Sequence, residues 1–203
     1  MIRAITFDWG GIFTEGTFDA DAVTNLAALC TVDEERISRT YYPLMARFET
    51  GSLDLDEFIT RFEEESGLSF ETERFRATFL ASGRERGAMY RVLDAIPDHY
   101  RVAVLSNNVP VLCDQVRNDP RMARVEKFLF SNELGVRKPA AEAFDALSSA
   151  LDLPPAEILF IDDSAANIAA CRELGFAGIQ LDDFEQFRRE LERHAPDFRL
   201  ETS

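Results

Sequence analysis

Ile2-Arg3-Ala4-Ile5-Thr6-Phe7-Asp8-Trp9-Gly10-Gly11 begins as a short, apolar and β-branched run and ends in an acid followed by an aromatic and two glycines. Such a run, Ile2 to Phe7, reads as a buried strand closed by a tight turn. Asp8 then stands at the carboxyl end of the first strand. From about Thr14 to Gly83 the texture changes. Apolar residues recur at helical spacing in Val23-Leu26-Ala27-Cys30, Phe58-Ile59-Phe62 and Phe75-Phe79-Leu80, with turn residues between them at Glu49-Thr50-Gly51-Ser52 and Ser66-Gly67. This stretch reads as an all-helical module. Beyond Gly87 helices and strands alternate: helix Met89 to Ile96, strand Arg101 to Leu105, a helix around Val109 to Val116, and a strand near Lys127 to Phe130. Helix Ala140 to Leu151, strand Glu157 to Ile161, helix Ala165 to Leu174 and strand Ala177 to Leu181 follow, and a charged amphipathic helix begins after Asp182. Alternation of this kind implies a parallel sheet covered on both faces. The expected fold is therefore α/β, a Rossmann-like doubly wound parallel sheet of residues 1–13 and 84–203. The helical module of residues 14–83 is inserted after its first strand.

Composition narrows the partners. A net charge of −15 over 203 residues repels nucleic-acid phosphates and anionic lipid heads, so neither is expected to bind. Local cations can still hold a small phosphorylated substrate. No apolar run approaches the roughly 18 residues of a membrane span, and the N-terminal residues do not read as a signal peptide. Cys30, Cys113 and Cys171 form neither a disulfide framework nor a zinc pattern. They read as packing residues of a cytoplasmic protein.

In a doubly wound sheet, ligands bind beyond the carboxyl ends of the strands. Four polar clusters fall there: Asp8, Ser106-Asn107-Asn108, Arg137-Lys138-Pro139 and Asp162-Asp163. Each alone suits an ordinary turn, but together they gather three carboxylates, a hydroxyl and an ammonium at one rim. Clustered carboxylates repel unless a cation sits among them, and hard oxygen ligands suit magnesium. A carboxylate held there can attack phosphorus, while the lysine and serine offset the charge developing in transfer. A helix beginning near Ser106 would aim backbone N–H groups at an anion.

These residues resemble the four motifs of the haloacid dehalogenase-like hydrolases. ITFDWGG is similar to the first, VLSNN to the second, GVRKP to the third and FIDDSAANIAACRELG to the fourth. FETGSLDLDEF, from Phe48 to Phe58, resembles a stretch of the helical cap that this superfamily inserts after strand one. The resemblance implies a magnesium-dependent phosphatase acting on a small phosphorylated metabolite, such as a sugar phosphate, through an aspartyl-phosphate. It implies Asp8 as nucleophile and metal ligand, with a metal ligand in the Gly10 carbonyl. Ser106 and Asn107 would bind the phosphoryl group, and Lys138 would bridge nucleophile and phosphoryl oxygens. Asp163 would be the principal further metal ligand, with Asp162 beside it, direct or through water.

One position departs from the usual Asp-x-Asp pattern. Gly10 stands where a second aspartate serves as general acid and base, a function typically worth about 10²–10⁴-fold. A readily leaving substrate, Glu15, or another group on the cap would have to make up for it. Around these residues, Trp9 either walls the pocket or packs in the core. Arg47 and Glu49 either line the cap mouth or form a solvated helix end. Arg137 positions its loop or faces water, and Asn167 supports the acidic loop. His99 and His194 lie away from the motifs. Two other functions stay open at this point: a non-catalytic protein that binds a phosphorylated ligand or partner, and a metal-independent 2-haloacid dehalogenase, which the adjacent acids Asp162 and Asp163 disfavour.

Overall fold

The computed structural model describes residues 1–200. Five parallel strands form one sheet: β1 (Ala4–Phe7), β4 (Arg101–Ser106), β5 (Lys127–Phe130), β6 (Ile158–Asp162) and β7 (Ala177–Gln180), in the order β5-β4-β1-β6-β7. β1 lies at the centre, with Phe7 registered against Val104 on one side and Ile161 on the other. Side chains alternate across a strand, and the burial follows that alternation. Ile5, Phe7, Val102, Val104 and Ile161 face a cluster completed by α5 (Gly87–Asp94) and α10 (Phe184–His194). Ala4, Ala103, Leu105 and Phe160 face a second cluster, completed by α8 (Ala141–Leu151) and α9 (Ala165–Glu173). Both faces are covered, as the unbroken apolar strands require, and the fold is the doubly wound α/β architecture expected from the alternation.

Between β1 and β4 the chain builds four helices: α1 (Phe18–Cys30), α2 (Glu34–Phe48), α3 (Leu55–Ser66) and α4 (Thr72–Leu80). Their starts are written in the sequence. Thr17, Asp33 and Asp54 each accept a hydrogen bond from the backbone three residues on, and Asp54 and Glu57 close a full capping box. The helices bury a cluster of aromatic rings. Phe58 alone lies 5.2 Å from Phe48 and 5.6 Å from Phe79, centroid to centroid. Most phenylalanines of this stretch are therefore packing. The same cluster takes in Val109 and Leu112, from the loop and first turn of α6 (Pro110–Asn118), so the helices rest directly on the sheet's rim.

Two features were not visible as periodicity. β2 (Thr14–Glu15) and β3 (Arg84–Glu85) pair antiparallel where the chain leaves and re-enters the α/β layers. Two residues are too few to show an alternation. A second connection is non-covalent: the Ser131 hydroxyl donates to the Glu49 carbonyl. Beside it Gly51 (φ +73°) is packed so closely that a Cβ there would stand 2.7 Å from the Asn132 carbonyl oxygen.

Candidate active site

The carboxyl ends of β1, β4 and β6 deliver Asp8, Ser106 and Asp162 to one edge of the sheet. Lys138 comes from the loop between α7 (Ser131–Leu134) and α8. Its side chain is fully buried, with Nζ 3.0 Å from Asp8 Oδ1 and 2.7 Å from Asp162 Oδ2, and 5.0 Å above the centre of the Phe160 ring. Burial disfavours the ammonium, but the flanking Asp8 and Asp162 carboxylates outweigh it and hold the lysine above its ordinary value. Asn107 clamps the lysine's backbone: its Nδ2 donates to the Lys138 carbonyl (3.0 Å) and its Oδ1 accepts from the Lys138 N–H (2.8 Å).

The two adjacent acids diverge. Asp162 points under the lysine and has no free oxygen. Oδ2 also accepts from Asn167 Nδ2 at 2.9 Å and Oδ1 from the Ser164 N–H at 2.8 Å. Asp163 turns the other way, over the β1 loop. A Cβ on Gly11 (φ +72°) would stand 2.0 Å from Asp163 Oδ2, so only glycine admits the acid there. Asp8, Asp162 and Asp163 each bring a carboxylate oxygen within 4.8 Å of the others. Burial is the main force raising the Asp8 carboxyl to about 7. The Lys138 charge and the nearby Ser106 hydroxyl work against it, and Asp162 adds to it. Burial, and then Asp162, also raise Asp163.

The helix expected near Ser106 begins later, at Pro110. Its first turn is not aimed at an anion. Leu112 and Cys113 donate to the Val109 carbonyl, Val109 to its neighbour Asn108 Oδ1, and Asn108 to Ser131 Oγ. The Asn108 side-chain nitrogen is buried without a partner.

Above this floor lies a cavity of about 310 Å³, lined by Asp8, Trp9, Gly10, Asn107, Asn108 and Asp163 from below. Phe18, Asp19, Met45 and Glu49 line it from the helices, with Arg137 at the side. Trp9 therefore walls the pocket, while also packing against the core. Glu49 is buried rather than solvated, and Arg137 Nη2 lies 2.9 Å from its Oε2. Burial raises the Glu49 carboxyl to about 7, with the Arg137 charge opposing. Asp19, also raised by burial, accepts a hydrogen bond from the Tyr41 hydroxyl at 2.9 Å. Glu15 sits exposed on β2 and Arg47 exposed on α2; neither lines the cavity. Sequence reasoning left Asp19 and Tyr41 out and gave Glu49 no decisive signal. Only its position after an aromatic residue at a helix end, followed by Thr50 and Gly51, hinted at a docked turn. His99 pairs with Asp197 on the surface at 2.8 Å, and the three cysteines are free.

An acid at the end of a central strand, a buried lysine bridging it to a second acid, and helices inserted between the first and second sheet strands define a class. The haloacid dehalogenase-like hydrolase profile matches residues 2–175, and the chain belongs to that family. It is 30% identical, over 94% of its length and 97% of the relative's, to D-ribitol-5-phosphate phosphatase of Bacteroides thetaiotaomicron. Its fold superposes on an HAD-like family hydrolase of Porphyromonas gingivalis with a TM-score of 0.77 at 26% identity, covering 95% and 97% of the two chains. It also superposes on an HAD family enzyme of B. thetaiotaomicron in complex with magnesium and inorganic phosphate, with a TM-score of 0.77 at 21% identity, over 92% and 99% of the chains. Among the described residues no helix is long and apolar enough to cross a membrane.

Proposed function

We propose that this chain is a magnesium-dependent phosphatase of a small phosphorylated metabolite, a sugar or polyol phosphate, with Asp8 as nucleophile. The observation that carries this reading is the buried Lys138 ammonium held between Asp8 and Asp162. It places one fixed positive charge where a phosphoryl group would meet the attacking carboxylate. The donor set fits magnesium: Asp8 and Asp163 supply carboxylate oxygens and Gly10 a backbone carbonyl, all hard donors with room left for water and phosphate. When bound, the ion would offset the negative charge of the acids and of the phosphoryl oxygens. Asp162 does not need to ligate it, since both its oxygens already serve the lysine and its own loop.

In this reading an Asp8 oxygen attacks phosphorus and the bond to the leaving oxygen breaks. Water then attacks the aspartyl-phosphate, freeing inorganic phosphate and restoring the carboxylate. Ser106 and Lys138 hold phosphoryl oxygens, and Asn107 acts mainly by fixing the lysine. A cavity of about 310 Å³ with mixed polar and apolar walls suits a compact substrate, and the similarity to D-ribitol-5-phosphate phosphatase favours a polyhydroxylated one. The test is phosphate release from a panel of sugar and polyol phosphates with magnesium. Release from at least one ester is expected, lost with chelator and in Asp8→Asn. No release from any ester at micromolar enzyme would refute the reading.

A further inference from the structure

The family position that usually carries a proton shuttle is Gly10, which has no side chain to move a proton. Two acids on the helices face the same cavity. Asp19 is already partnered by the Tyr41 hydroxyl. Glu49 differs on three counts. Its Oε2 is buried and has no aligned hydrogen-bond donor, although Arg137 Nη2 is 2.9 Å away. It caps the C-terminus of α2, where the helix dipole disfavours a negative charge. And it is fixed from behind, by the Ser131 hydroxyl on its carbonyl and by the close fit of Gly51 against Asn132.

We propose that Glu49 is the general acid and base of this enzyme, supplied from the cap in place of the carboxylate that Gly10 lacks. The inference rests on the phosphatase reading above. As Asp8 forms its bond to phosphorus and the phosphorus–leaving-oxygen bond breaks, the protonated Glu49 gives its proton to the leaving oxygen. Glu49, now a carboxylate, then takes a proton from the water whose oxygen attacks phosphorus. The bond from phosphorus to Asp8 breaks, and phosphate, the Asp8 carboxylate and the Glu49 acid are released or restored. A group that exchanges one proton twice works best when it titrates near the working pH. Burial places Glu49 there, at about 7, against the Arg137 and Lys138 charges and with Asp19 and Asp8 adding to the rise. Tyr41, whose own hydroxyl is driven up by burial and by Asp19, remains neutral beside it.

The experiment compares Glu49→Gln with the unaltered enzyme, both with magnesium, on phenyl phosphate and 4-nitrophenyl phosphate. These esters differ little in size and greatly in how much help the leaving oxygen needs. We expect kcat/KM for phenyl phosphate to fall by about 10²-fold and that for 4-nitrophenyl phosphate by less than about threefold. The descending limb of the pH profile above about 7 should vanish in Glu49→Gln. In Arg137→Gln it should move to higher pH, because the opposing charge is gone. Equal losses on the two esters, or an unaltered rate on phenyl phosphate, would overturn the proposal. So would a limb that neither substitution moves. Should Glu49→Gln not fold, the Arg137→Gln limb decides alone. An unaltered enzyme inactive on both esters and on the sugar phosphates would instead overturn the phosphatase reading itself.

Discussion

The Lys138 cluster beneath the cavity and the Glu49–Arg137 pair beside it are both charged and buried, yet they are built on opposite plans. On the floor every charged oxygen of Asp162 has a partner, the Lys138 ammonium has two, and Asn107 grips the lysine's backbone from both sides. In the Glu49–Arg137 pair, which joins the helices to the lysine's loop, Glu49 Oε2 and Arg137 Nε are buried without a hydrogen bond, as is Asn108 Nδ2 below. Satisfied networks rigidify, whereas an unpartnered buried polar atom costs free energy unless something else claims it. The contrast separates a lysine with every partner in place from an ion pair whose polar atoms are only partly satisfied.

Breaking the floor is expected to do the most damage. Lys138→Met leaves the Asp8 and Asp162 carboxylates facing each other without a cation. Loss of one partner from a buried ion pair costs roughly 3–5 kcal/mol, so urea unfolding without magnesium should show a loss of that size, together with loss of phosphatase activity. The clasp of the roof comes next. Gly51→Ala combines a left-handed backbone, costing about 1–2 kcal/mol, with a collision against the Asn132 carbonyl. Faster amide exchange over residues 49–52 is expected, with a selective loss on phenyl phosphate like that of Glu49→Gln. Unchanged exchange would show that the turn does not depend on that contact. The smallest effect belongs to Gly10→Asp. A Cβ at Gly10 meets no atom within 4 Å, and stability with magnesium should stay within about 0.5 kcal/mol of the parent. Introduced together with Glu49→Gln, it should restore part of the lost rate on phenyl phosphate, because a carboxylate then lines the same cavity from below.

The floor was legible in the sequence, and the roof was not. Each sheet strand is an apolar run that stops at a polar residue, so the order of Asp8, Ser106, Lys138 and Asp162-Asp163 along the chain already implied their meeting at one rim. The different tasks of Asp162 and Asp163 needed one more step. Successive residues leaving a strand point to opposite sides, and the structure puts Asp162 under the lysine and Asp163 over the β1 loop, although both were expected as metal ligands. Glu49 offered no such handle. An acid at the end of an amphipathic helix ordinarily faces water, and only the contact of residues 49–51 with Ser131 and Asn132 turns it inward. The β2–β3 ribbon escaped notice because two-residue strands carry no period.

That ribbon is one of two ties between the helices and the α/β layers, the other being the clasp at Ser131. The ribbon begins three residues after Gly11, and the Gly11 N–H donates to Thr14 Oγ1 at 2.9 Å, so its pin lies against the Asp8 loop. The clasp at Ser131 sits beyond β5, the sheet's edge strand and two strands from β1, roughly 10 Å across at ordinary strand spacing. A door moves least at its pin and most at its latch. Were the roof to open about that ribbon, the Asp8 loop would stay nearly still and Glu49 would travel furthest. On the phosphatase reading, a ligand too large for the cavity would then seat its phosphoryl end while holding the latch ajar, and molecular size would be judged at the edge that carries Glu49.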